Sequence, residues 1–130
     1  MPRNPQRPKE GFSHCGDTIY ADGPIAASLA LPDGTVWRNR VTEEVSKVAE
    51  TLREYRMSYA YNLLDENLRT FNAAVPMYAQ WDDHEVTNNW WPEEPLGRAE
   101  HQSRRYVEKN ALALMARGNR AMREYCPMVE

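Results

Sequence analysis

Two short clusters of polar side chains carry the chemistry open to this chain. Gly16-Asp17-Thr18-Ile19-Tyr20 sets a carboxylate on a glycine turn, with a phenol three residues later that can swing to the same point in space. A hard cation needs that convergence of oxygens, although alone the pattern fits a plain turn capped by Asp17 at least as well. Trp81-Asp82-Asp83-His84-Glu85 then places four ionisable side chains in a row after an apolar stretch. A folded protein ordinarily scatters like charges such as Asp82 and Asp83, and a cation accounts for the crowding. Hard di- or trivalent metals prefer carboxylate oxygens, and a neighbouring histidine can ligate or give a proton to a reacting oxygen. The bland alternative is a solvated acidic turn, but the Asn88, Asn89, Trp90 and Trp91 that follow are unusual for mere surface.

The elements that must position these clusters can be read from pattern. Gly11 to Cys15 reads as a short strand ending at Gly16, and Met77 to Trp81 as another that delivers the acidic run. Between them, Asp17 to Arg40 is a long excursion without sustained periodicity, a kind of loop that is often functional. Thr42 is expected to cap a helix with Glu43 and Glu44 in its first turn and Val45, Val48, Ala49, Leu52, Tyr55 and Tyr59 on one stripe. A second helix is expected from about Asp65 through Leu68 and Phe71 to Ala74, broken at Val75-Pro76. After a loop from Asn88 to Pro95, a long helix is expected from His101 to Tyr125, with Val107, Ala111, Leu114, Met115, Gly118 and Met122 on one face. Two strands that each end in an acidic motif and are separated by helices predict an α/β sheet whose strand ends gather ligands.

Composition narrows the partners. A length of 130 residues suits one domain, and the 42% hydrophobic and 27% charged fractions are near the globular average. The net charge of −3 gives no broad basic field for a nucleic-acid backbone. No run of about 18 apolar residues is available to span a membrane. Residues 1–10 are polar and proline-rich, a disordered or displaced lead without an apolar signal core. Cys15 and Cys126 fit no metal spacing and read first as two buried thiols, with a disulfide left open. His14 and His101 read as structural or exposed, and Arg104, Arg105, Arg117, Arg120 and Arg123 as a solvated helix face. Trp37, Trp81, Trp90 and Trp91 read as core or loop anchors before a substrate wall.

Four stretches in order, Gly-Asp-Thr-Ile-Tyr-Ala-Asp-Gly-Pro, Lys-Val-Ala-Glu-Thr-Leu-Arg-Glu-Tyr-Arg, Tyr-Asn-Leu-Leu-Asp-Glu-Asn and Trp-Asp-Asp-His-Glu-Val-Thr-Asn-Asn-Trp, resemble the PhoD-like alkaline phosphatases over roughly Phe12 to Met128. The resemblance implies part of a metallophosphoesterase-like sheet with flanking helices. It implies that Asp17 bridges metals, that Tyr20 binds ferric iron, that Asp83 is a ligand and that His84 stands beside the phosphate, with Asp82 where related enzymes carry glycine. Calcium is implied as well, with Asn39 of Trp37-Arg38-Asn39 similar in placement to a calcium ligand. The implied reaction is hydrolysis of a small phosphoester, monoester or diester, in which metals hold phosphate oxygens, a hydroxide attacks in line and His84 stabilises or protonates the leaving group.

The family's upstream cysteine and aspartate ligands have no match in the residues before Gly11, and its further acidic and histidine ligands would begin after Glu130. The expectation is therefore a partial domain over residues 11–130, incomplete at both ends and inactive alone. An inactive structural or interaction fragment is the alternative. An extracytoplasmic location is implied by the resemblance only, and the oligomeric state is not legible.

Overall fold

The computed structural model describes residues 11–126, so the lead expected over residues 1–10 lies outside the described residues. The chain forms strand β1 (Phe12–His14), strands β2 (Ser28–Ala30) and β3 (Val36–Arg38), and helices α1 (Leu52–Asn62) and α2 (Glu66–Ala74). Strand β4 (Met77–Ala79), a 3-10 turn over Ala99–Arg104 and helix α3 (Ala111–Tyr125) complete it. The arrangement is mixed α/β. Strands β1 and β4 pair in parallel with Phe12 opposite Met77 and His14 opposite Ala79. Their ends are extended by Phe12 N–H to the Pro76 carbonyl and Gln80 N–H to the His14 carbonyl, both at 2.9 Å. Parallel pairing sends both strands out at the same end of the sheet, which is what brings the two acidic loops together. Strands β2 and β3 form a separate antiparallel hairpin inside the long excursion after the first motif. Among the described residues the two sheets have two strands each, and the wider sheet expected from the resemblance is not formed by them.

Helix α1 begins nine residues later than the periodicity predicts. Its cap is Thr51, whose side chain accepts the Glu54 N–H while Glu54 Oε2 accepts the N–H groups of Thr51 and Glu50 at 2.8 Å each. The preceding residues give their backbone bonds to the excursion instead of to one another: the Val45 carbonyl accepts from Ile25 and the Ala49 N–H donates to the Ala21 carbonyl, at 2.8 Å in both cases. Val45, Val48 and Ala49 are buried as expected, but from turns. Helix α2 starts at its predicted cap, Asp65, which accepts the Leu68 N–H at 2.8 Å.

The long C-terminal helix is also shorter than expected. His101 and Arg104 lie in the 3-10 turn, Arg105 reverses the chain at φ 54°, and Glu50 Oε1 captures the N–H groups of Val107 and Glu108 at 2.7 Å each. Asn110 then caps α3 by accepting the Leu112 N–H at 2.9 Å. Val107 is consequently exposed, and the buried stripe of α3 is Ala111, Leu114, Gly118, Ala121 and Met122.

That stripe packs on α1, where Tyr55 and Tyr59 are buried and Tyr59 stacks on Tyr125 with centroids 5.3 Å apart. A Cβ at Gly118 would lie 2.6 Å from the Glu85 carbonyl oxygen and 3.3 Å from the Tyr55 ring, so the helix backbone rests directly on the second acidic loop. Cys15 is exposed and Cys126 buried, and both are free thiols, which corrects the expectation of two buried ones.

Candidate metal centre

The first loop leaves β1 through two left-handed residues, Gly16 at φ 100° and Asp17 at φ 52°. Glycine is required at the first: a Cβ there would fall 2.5 Å from Asp82 Cβ on the opposite loop. The loops are also tied together by Glu85, which is fully buried. Its Oε1 accepts the Thr18 N–H at 2.5 Å and its Oε2 the Asp82 N–H at 2.8 Å, one backbone donor from each motif.

This clamp brings together Asp17, Asp83 and His84, each of which offers one ligand atom within 4.8 Å of the others. Asp17 Oδ1 is buried without a hydrogen-bond partner, while Oδ2 accepts the Tyr20 hydroxyl at 3.3 Å. Asp83 Oδ2 accepts the Asn89 N–H at 2.6 Å, a bond made possible by the left-handed turn at Asn89. Asp82 turns its Oδ1 back to the Asp83 N–H at 2.9 Å, so its carboxylate serves the loop's own backbone. The Tyr20 ring lies over the His84 imidazole at 4.2 Å with a tilt of 31°. The Asp17 charge, then partial burial and the hydrogen bond to Asp17, hold the Tyr20 phenol above its ordinary pKa.

Asp22, five residues beyond Asp17, meets His84 from behind: its Oδ1 is 2.8 Å from His84 Nδ1. A carboxylate only accepts, so Nδ1 carries a proton toward Asp22 and, in the neutral ring, Nε2 is the nitrogen with the free lone pair. Burial lowers the His84 pKa, but the Asp22 hydrogen bond and the charges of Asp22, Asp83 and Asp17 outweigh it and raise the pKa above the usual imidazole value. Asp22 Oδ2 is held by Arg104 at 2.9 Å and by the Asn88 N–H at 3.0 Å.

Of the residues expected from sequence, Asp17, Tyr20, Asp83 and His84 thus meet at one place. Asn39 sits at the foot of the β2–β3 hairpin, where its Oδ1 accepts Trp37 Nε1 at 2.7 Å and the Tyr61 hydroxyl at 3.2 Å, and its Nδ2 donates to the Ala26 carbonyl at 2.6 Å. Its amide is occupied by the hairpin and by α1. Trp81 and Trp90 pack on the core, whereas Trp37 and Trp91 are exposed, the latter beneath the Arg98 guanidinium. Asp22 was not singled out from the sequence, and Glu85 was read only as a member of the acidic run. The second acid in Asp17-x-x-x-x-Asp22 was the available signal for Asp22. Arg104, expected on a solvated face, instead faces a buried carboxylate.

A family model described as PhoD-like phosphatase matches residues 5–130. Over 77 residues, 59% of this chain, the sequence is 38% identical to alkaline phosphatase D of Bacillus subtilis (strain 168), and the match spans 12% of that protein's length. No solved structure matches.

Proposed function

Since the chain belongs to the PhoD-like phosphatase family, we propose that Asp17, Tyr20, Asp83 and His84 form part of a metal-dependent centre that hydrolyses phosphate esters. The observation that carries this reading is the meeting of Asp17, Asp83 and His84 within 4.8 Å, with a buried Asp17 oxygen that no protein donor satisfies. A buried carboxylate oxygen without a partner is costly unless a cation takes the place of a donor.

The donor set is carboxylate oxygen, phenol and imidazole, which suits a hard or borderline ion. Asp17, Tyr20 and Asp83 would hold it, with ferric iron at Tyr20 and calcium as a second ion. Asn39 is the proposed calcium contact and would have to exchange the Trp37 and Tyr61 bonds of its Oδ1 for the ion. When bound, such ions neutralise phosphate oxygens and make water a stronger nucleophile near neutral pH.

The chain's own part is then positional and protic. Asp22 fixes the His84 tautomer so that Nε2 faces the reacting group, and the raised imidazole pKa keeps a proton available for the leaving oxygen. The Tyr20 ring over the imidazole restricts its rotation. The substrate class is a small phosphoester, monoester or diester, in a protein working outside the cytoplasm. Among the described residues no helix is long and apolar enough to cross a membrane.

The test is metal binding by the purified chain, followed by turnover of a model phosphomonoester and a model diester after loading. Iron or calcium retained by the chain and lost in Asp17→Asn and Asp83→Asn supports the reading. A chain that takes up neither ion, or binds them equally well in both variants, overturns it.

A further inference from the structure

We propose that Arg104 is a positioning residue for His84, acting through the buried carboxylate of Asp22 and itself braced by His101 and Glu94. The inference rests on His84 being the proton-handling group of the proposed reaction, and it assigns a task to residues outside both motifs.

The side chain of Asp22 is only 2% exposed, and a buried carboxylate needs donors on both oxygens and a compensating charge. Its Oδ1 is spent on His84 Nδ1 at 2.8 Å. Its Oδ2 receives Arg104 at 2.9 Å, the Asn88 N–H at 3.0 Å and the Thr87 hydroxyl at 3.5 Å. With Oδ2 held from three directions the carboxylate cannot turn, and Oδ1 stays aimed at the imidazole. Arg104 is the charged member of the three and the only one that reaches beyond the second loop.

Arg104 is in turn fixed from the other side. One guanidinium nitrogen lies 3.3 Å from His101 Nδ1, and His101 Nε2 lies 2.7 Å from Glu94 Oε1, with His101 3% and Glu94 6% exposed in their side chains. A guanidinium only donates, so His101 Nδ1 must accept, its Nε2 must carry the proton, and that proton goes to Glu94. One assignment of protons therefore satisfies every contact from Glu94 through His101, Arg104 and Asp22 to His84. Such outer partners ordinarily set ring orientation and tautomer at a working histidine.

Free neutral histidine favours the Nε2–H form, whereas this arrangement demands Nδ1–H at His84, so the tautomer reports the positioning directly. The experiment is nitrogen NMR of the histidine-labelled, chelator-treated chain at mildly alkaline pH, with Arg104→Ala and Arg104→Gln beside wild type and Asp22→Ala, which has no acceptor to offer, as the reference for a released imidazole. In wild type the His84 Nδ1 resonance should sit in the protonated range. In either Arg104 variant it should move most of the way to its position in Asp22→Ala, with unfolding still cooperative. The glutamine variant keeps an uncharged donor on a shorter side chain and fills more of the space than alanine, so it can be read should the alanine variant fail to fold. His84 signals that stay at the wild-type position in a folded Arg104 variant would overturn the proposal, as would a wild-type His84 in the Nε2–H form. The readout needs neither metal nor turnover, so a failure of the phosphatase reading leaves it separately decidable.

Discussion

Glu85 Oε1 accepts the N–H of Thr18 at 2.5 Å across 67 positions of sequence, and its other oxygen takes the N–H of Asp82 three residues before it. One buried side chain therefore sets the separation of the two loops that carry Asp17 and Asp83. The candidate ligands do not need to hold one another in place.

Replacing Glu85 by alanine leaves two backbone N–H groups unpaired beside the core. Each such loss costs about 1–3 kcal/mol, so Glu85→Ala should lose roughly 2–6 kcal/mol of stability in urea unfolding. Glu85→Gln keeps one accepting oxygen and should lose about half as much. Equal stability in all three proteins would show that the clamp is not structural.

Gly16 faces Asp82 at φ 100°, with no room for a methyl group. Gly16→Ala should cost about 1–3 kcal/mol in backbone strain and also push the two loops apart. Metal affinity measured by titration should fall with it. An alanine variant that binds metal like wild type would contradict the close approach of the loops.

If the centre binds metal as proposed, then in a protein that also carries the family's remaining ligands Asp17→Ala should lose both ion and activity, whereas His84→Ala should keep its ion and lose on the order of 10²–10⁴-fold in rate. Tyr20→Phe should leave the fold unchanged, since its phenol is exposed, and should abolish any phenolate-to-iron colour. Metal content recorded beside rate in the active, metal-loaded protein decides the assignment; full occupancy in Asp17→Ala would reverse it.

The raised His84 pKa makes a signed prediction for the metal-free chain. Burial works against the charged imidazole, and the Asp22 hydrogen bond with the charges of Asp22, Asp83 and Asp17 more than restores it. The folded state therefore holds a proton that the unfolded chain has released above its ordinary value of 6.5. The resulting stabilisation is complete below that value and is lost as pH rises through the folded-state pKa. Urea midpoints taken between about pH 6 and pH 8 should fall with pH, and Asp22→Asn should flatten the fall.

The site was more legible in the sequence than the fold. Asp83 and His84 stand out because their run of charges has few other reasons to be crowded after a strand, whereas Asp17 and Tyr20, which alone fit a plain capped turn, are picked out through the family resemblance. Strands β1 and β4 and helix α2 follow from local pattern and from the Asp65 cap. Helix α1 was misplaced because Val45, Val48 and Ala49 keep a helical spacing while their backbone bonds to Ala21 and Ile25, partners that periodicity cannot see. The break before α3 was hidden for the same reason: Glu50, far upstream, captures the backbone at Val107 and Glu108. Arg104 reads as surface until the fold shows which carboxylate it faces.

The contact of Gly118 with the Glu85 carbonyl has a consequence in time. Both acidic motifs leave the ribosome well before helix α3, yet the second loop lies against that helix's backbone. A nascent chain that has reached only Asn110 carries every candidate ligand and lacks the wall that shapes one of the loops. If the centre captures an ion as proposed, docking of the helix should precede that capture. A bulkier residue at position 118 would delay or prevent that docking without touching any candidate ligand.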